Sequence, residues 1–308
     1  MKHPRLLFGL VLAAITLAAQ TPSEVEITSE PSHHLAFENE SVRVFKVEVA
    51  PHAATLMHRH RHDYLAVTLG PAEISNEVAG KPSVTLKLQD GEVRFTPGNF
   101  AHIARNLADT PFRNVTIELL RGAENEKARQ SPPPKWNEER ALHVLEGGTQ
   151  DIMFVKDGVR VSEIELQPGG MIPSHHHAGP HLLVAVSDLE MRSDVEGKGA
   201  STAQLKAGDV KWLPGGYTHT LTNVGKQKAK FVTLEFPGKV VVKADIASNG
   251  SVLGAWVVEK LDPDTDKKAL EAVKHWKFSP ATKDGKPVRV LALVDVFVSE
   301  NGELILPK

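Results

Sequence analysis

The sequence predicts a mainly β protein: two copies of one strand-rich unit, then a smaller α+β unit. Three observations lead there. Positions 117 apart match from Val44/Val161 to Glu118/Glu235 without insertion or deletion. Both copies read as short alternating strands parted by Gly/Pro turns, with no long helical pattern, which means a sandwich or barrel. From Lys239 the pattern changes to strand, strand, helix, strand, strand. The 308 residues allow two or three domains at about 100–200 residues each. With 41% hydrophobic and 24% charged residues, wholesale disorder is excluded. Lys plus Arg is 36 against 38 for Asp plus Glu, so no global basic field exists for nucleic acid or anionic lipid. Cys is absent, which removes disulfides, thiolate metal sites and cysteine nucleophiles. Any metal must therefore be held by nitrogen and oxygen, and there are 15 histidines.

Residues 1–20 (MKHPRLLFGLVLAAITLAAQ) have a basic start at Lys2 and Arg5, an apolar run Leu6 to Leu17 and a small-residue exit at Ala18-Ala19-Gln20. That is the pattern of a secretory signal peptide. The apolar run is short for about 30 Å of hydrocarbon, so a permanent span is the lesser reading. A periplasmic or secreted protein is the expectation.

The offset of 117 superposes His58 on His175, His60 on His177, Gly91 on Gly208, Pro97 on Pro214, His102 on His219 and Asn106 on Asn223. Phe95 keeps step with Trp212, and Phe100 with Tyr217. Segments 42–49, 112–120 and 228–236 alternate apolar and polar residues as strands do. Glu118 and Glu235 alternate with apolar neighbours that should face the barrel core, leaving both glutamates outside. The four aromatics are either core or the lining of a pocket for a planar substrate. Residues 122–140, polar and carrying three consecutive prolines, read as a linker.

In the second copy, His175 and His177 share strand parity, while His176 projects away. His181 has the same parity but follows Gly179-Pro180, where the chain can bend, and His219 comes from a distant strand. Neutral imidazole is a good ligand for divalent transition metals. Four such side chains could close around one ion; surface histidines on a glycine-rich loop are the alternative.

The paired motifs, His175-x-His177-x3-His181 after Gly169 and Gly208-x5-Pro214-x-Gly216-x2-His219-x3-Asn223, resemble the cupin superfamily. The resemblance covers roughly residues 35–121 (cupin domain 1) and 141–237 (cupin domain 2) and implies two small jelly-roll barrels. It also implies that His175, His177, His181 and His219 bind iron, manganese, nickel, copper or zinc. His181 stands where the family usually has Glu. Four neutral ligands leave the ion's charge uncompensated, favouring anionic ligands and a lowered pKa of bound water. In the first copy His58, His60 and His102 match, but Tyr64 replaces the His181 equivalent and Asn99 replaces a glycine. His62 shares parity with His58 and His60 and could substitute; Asp63 could do so only across a bulge. A three-His or vestigial first site is the alternative.

Residues 238–308 form the third unit. Strands are expected at 239–246 and 251–259 around Asn249-Gly250, with a helix capped by Asp262-Pro263 and carrying Ala269, Leu270, Val273 and Trp276 on one face. A strand over 288–298 and a turn at Asn301-Gly302 complete it. The run ALEAVKHWKFSPATKDGKPVRV (269–290) looks like the C-terminal domain of TonB-type proteins. That resemblance implies binding to outer-membrane transporters through strand pairing. The usual opening Tyr-Pro segment and a long Pro-rich spacer are missing, which argues for an interaction domain over energy transduction.

Taken together, the expectation is an exported metal-binding bicupin, an oxygenase or isomerase on a small organic molecule if catalytic. Its rivals are non-catalytic binding of a small molecule or metal, and docking of residues 239–308 on an envelope protein.

Overall fold

A computed structural model describes residues 23–120, 141–156, 159–261, 263–298 and 304–305. The expected signal segment 1–20 and linker 122–140 lie outside the described residues, as do Asp262 and the Asn301-Gly302 turn. The chain is mainly β.

In the first copy two five-stranded sheets pack face to face. One has the order His33–Glu38, Val42–Val49, Phe112–Leu119, Tyr64–Leu69, Val93–Thr96. The other runs Val25–Glu26, His58–His60, Phe100–Asn106, Ala72–Val78, Val84–Leu88. Phe45, Val47 and Phe112 of the first meet Ile74 and Leu88 of the second in the lumen. In the second copy the strands join one continuous sheet, because Val159–His177 runs unbroken through 19 residues. Its early part pairs with Ala229–Glu235 and its late part with Tyr217–Asn223.

Strands Phe112–Leu119 and Ala229–Glu235 are buried on both faces, and this explains the fate of the two glutamates. Val115 and Ile117 do not fill their own lumen. Together with Val42, Val44 and Leu65 they pack against Val161, Leu182, Val184 and Leu234 of the other copy. The apolar face of each strand is thus spent on the neighbouring barrel, at about 1.5–3 kcal/mol for each fully buried Val, Leu or Ile. The opposite face, carrying Glu118 and Glu235, turns inward. Glu118 is 1% and Glu235 8% exposed, which corrects the expectation that both lie outside. Phe95 and Trp212 also belong to the contact between barrels, where Trp212 stacks on Phe37 at 5.8 Å. Tyr217 and Phe100 stand beside histidines in the lumens.

Only Phe236 and Pro237 separate Ala229–Glu235 from Gly238–Ile246, the first strand of the C-terminal unit. That strand lies between Val252–Glu259 and Val290–Val298, with Leu304–Ile305 at the edge. The helix Pro263–His275 begins at the expected proline and lays Ala269 and Val273 on Val240, Val242, Val296 and Val298. A small hairpin, Ala281–Lys283 with Lys286–Val288, was not anticipated. Its turn is Asp284-Gly285, both with positive φ (52° and 74°), the signature of a two-residue hairpin.

Candidate metal centre

In the second barrel, antiparallel pairing sets His175 directly opposite His219, and His177 shares the face of His175. Opposed side chains on a sheet start only about 4.5–5.5 Å apart at Cβ, so three rings converge. Their Nε2 atoms form a triangle: His175 to His177 3.1 Å, His177 to His219 3.1 Å, His219 to His175 3.0 Å. The far nitrogens are anchored. His175 Nδ1 donates to the Pro173 carbonyl at 2.8 Å, and His219 Nδ1 lies 2.7 Å from Ser193 Oγ. His177 Nδ1 faces Glu235 Oε1 at 3.9 Å, while Arg160 donates to the other carboxylate oxygen at 2.6 Å. His176 points away, toward Thr218.

A carbonyl only accepts, so His175 Nδ1 carries a proton and its Nε2 turns toward the other two rings. Burial pushes His177 down to about 2 and His219 to about 4, so both are neutral near pH 7. Desolvation is the leading cause in each case. Neutral imidazoles fixed through Nδ1 are what a divalent transition metal requires of its ligands. With metal–nitrogen bonds of about 2.1 Å, donors this close subtend about 90–95°, whereas a tetrahedral set would stand about 3.4 Å apart. The residues fit a metal.

His181 begins the strand His181–Ala185, and its ring lies parallel to His177 at 4.0 Å. It stands outside the trio whose donor atoms all fall within 4.8 Å of one another. Burial lowers it to about 3, and its buried Nδ1 has no hydrogen-bond partner. Gly179 makes this corner possible, because any Cβ there would collide with the Phe236 carbonyl. The histidines open onto a cavity of about 610 Å³ with walls such as Leu145, Ile172, Leu183, Met191 and Phe231. Its polar lining includes Gln150, Arg160, Tyr217, Thr233 and Glu235, with Lys198 and Lys211 also present.

The first barrel repeats this framework. His58 pairs opposite His102, His58 Nδ1 donates to Leu56 O at 2.9 Å, and His102 Nδ1 donates to Asn76 Oδ1 at 2.6 Å. Those acceptors sit 117 positions before Pro173 and Ser193. Tyr64 stacks on His60 at 3.9 Å as His181 does on His177. Glu118 lies 3.7 Å from His60 Nδ1, and Arg43 donates to it at 3.4 Å. Burial pushes His58 down to about 4 and His60 to about 2, and raises Glu118. The strand ends at His60, so parity no longer governs His62, which sits on a bend. Asp63 accepts from the Gly98 N–H and lies near Lys156. The side chain that does join His58 and His60, with donor atoms within 4.8 Å, is His33. His33 lies outside both histidine motifs and upstream of Val44, where the matching positions of the repeat begin. A sequence signal existed: His33 stands 117 before Gln150, which occupies the same register in the second copy (His33 opposite Val47, Gln150 opposite Ile164).

Residues 162–235 match the Cupin domain family, and residues 233–296 match the Gram-negative bacterial TonB protein C-terminal family. A germin-like protein from Morus alba is 30% identical over 122 residues, 38% of this chain. The chain spans 58% of that protein's length. Among solved structures, an oxalate decarboxylase variant from Bacillus subtilis has a TM-score of 0.48 at 16% identity, covering 64% of this chain and 70% of that one. The Lactobacillus farciminis oxalate decarboxylase formate complex gives 0.48 at 18%, covering 64% and 78%. Residues 162–235 thus form a cupin domain and residues 233–296 a TonB-like C-terminal domain, and the first copy repeats the histidine framework of the second.

Proposed function

We propose that this is an exported envelope protein whose second barrel holds a divalent transition metal and acts on a small organic molecule in the adjoining cavity. The observation that carries the reading is the triangle of Nε2 atoms of His175, His177 and His219, 3.0–3.1 Å apart at the wall of that cavity. Iron, manganese, nickel, copper and zinc remain the candidates, and the donor spacing favours ions that take more than four ligands. His181 stays in the proposed set, since a bond to metal would satisfy a ring now left with an unpartnered buried nitrogen.

When bound, the metal would supply Lewis acidity or an oxygen-binding centre, as an oxygenase or isomerase requires. The chain's own residues do the rest. Lys198 and Lys211 draw an anionic molecule inward, and the apolar walls exclude water from it. Burial pushes the Tyr217 hydroxyl up to about 12, so it keeps its proton and can donate a hydrogen bond. Glu235, held by Arg160, faces His177 Nδ1 and helps to orient that ring. The test is elemental analysis of wild type beside His175→Ala/His219→Ala, with turnover followed under air and under nitrogen. Equal metal content in the two proteins would overturn the reading. Binding without product in either gas would favour a non-catalytic carrier.

One observation favours a further role for residues 239–308. Their sheet turns Trp256, Leu291 and Leu293 (44%, 60% and 68% exposed) away from the helix, and the TonB match points to protein contact in the envelope. Among the described residues no helix is long and apolar enough to cross a membrane. Co-purification of the full chain with and without Trp256→Ala/Leu293→Ser tests docking; an unchanged set of partners counts against it. Export rests on the pattern of residues 1–20, and N-terminal sequencing of protein made in a Gram-negative host would check it.

A further inference from the structure

We infer that the first barrel is a second, closed metal site, completed by His33 from the strand His33–Glu38, which lies outside both histidine motifs. His33 reaches the cluster because its strand pairs with Val42–Val49 and faces the lumen beside Phe45. Its ring lies 4.7 Å from that of His58, and donor atoms of His33, His58 and His60 fall within 4.8 Å of one another. His102 adjoins them, 4.5 Å from His58 ring to ring.

Three features make this a built site. His33 Nδ1 meets Glu30 Oε2 at 2.6 Å, which fixes the ring and leaves Nε2 as the atom free to meet a metal. Glu30 is itself 2% exposed and is fixed by the N–H groups of Ser32 (2.8 Å) and Leu56 (3.0 Å). A carboxylate that holds a histidine by its far nitrogen is the usual support of a metal ligand. Finally, the Nε2 atoms of His58 and His102 are buried without a hydrogen-bond partner. Leaving such groups unpaired costs about 1–3 kcal/mol each, which a shared cation would offset.

The second barrel lacks these additions. At the positions 117 later, Glu30 becomes Gly147 and His33 becomes Gln150, and Gln150 lines the open cavity. The first site is also sealed: His58 and His60 are each 1% exposed, and the His33 side chain 5%. An ion there has no space for a substrate and exchanges slowly. It fastens the segment around residues 30–38 to the barrel, and its role is structural.

Cobalt(II) titration of the metal-stripped full chain tests this. Wild type is expected to bind two equivalents. His175→Ala/His219→Ala should keep one, released to a chelator at least about tenfold more slowly than the ion it lost. Adding His33→Gln to that variant should abolish binding or speed release by about tenfold or more. His33→Gln alone should still bind the second-barrel equivalent, which reports that the chain has folded. Loss of all cobalt from His175→Ala/His219→Ala overturns the inference, as does an unchanged release rate after His33→Gln. If His33→Gln does not fold, the paramagnetically shifted imidazole N–H signals of cobalt-loaded His175→Ala/His219→Ala decide. A shifted signal from His33 supports the site, and its absence overturns it. Failure of the second-barrel reading would look different, because wild type would then bind one equivalent that survives His175→Ala/His219→Ala.

Discussion

In the first barrel, position 33 is a histidine tethered to a buried glutamate; in the second, the register-equivalent position 150 is a glutamine on the wall of a cavity of about 610 Å³. Almost everything nearer the rings is shared. The cross-strand pair His58/His102 repeats as His175/His219, the Nδ1 acceptors repeat as Leu56/Pro173 and Asn76/Ser193, and the glutamate–arginine pair repeats as Glu118/Arg43 and Glu235/Arg160. What separates a sealed cluster from an open one is the strand before the motifs. A duplicated fold can therefore repeat three histidine donors and change what surrounds them, here at Glu30/Gly147, His33/Gln150 and Tyr64/His181.

The comparison breaks first at the metal. Removing His175 and His219 together should eliminate the second-barrel ion and with it all metal-dependent turnover, while His58→Ala/His102→Ala should leave turnover of the folded protein in place. Equal loss of turnover in both, with native circular dichroism retained, would erase the functional asymmetry.

Next comes the contact between barrels, where the copies should behave alike. Ile117 and Leu234 are matched positions, both 0% exposed and facing the opposite barrel. Truncating either to Ala should cost about 2–5 kcal/mol in denaturant unfolding, and by similar amounts. A large inequality would mean that one barrel bears the interface unevenly.

Acid should also treat the copies evenly. Burial holds His60 and His177 near 2 in the folded state, against an ordinary value of 6.5. The unfolded chain therefore takes up protons that the metal-free folded chain refuses. Stability is fully present above pH 6.5 and is lost as pH falls below it, by about 1.4 kcal/mol per pH unit for each such ring. His60→Gln and His177→Gln should each flatten that slope by the same amount between pH 6 and 4, as read by urea titrations. The smallest effect is expected at Lys46–Asp209, a half-exposed 2.8 Å pair bridging the barrels. Lys46→Ala should cost less than about 1 kcal/mol and become silent at high salt.

Much of this was legible in the sequence. The offset of 117 located both barrels, the parity of His175 and His177 held, and Pro263 marked the helix start. Parity could not reveal which of two buried faces meets a neighbouring copy, so Glu118 and Glu235 were placed on the wrong side. Alternation reports a difference between faces, and only packing tells where each face goes. His33 was hidden because its partners, Glu30 and His58, are local and distant at once. His62 escapes the parity of His58 and His60 because the strand ends at His60, two residues short of it.

The junction at Phe236-Pro237 carries one more implication. Glu235, beside His177, ends one strand, and Gly238 begins the central part of the C-terminal sheet. A displacement of that last sheet is therefore felt within two residues of Glu235, whose carboxylate lies 3.9 Å from His177 Nδ1. The C-terminal sheet and the second barrel are thus joined by a mechanical link two residues long.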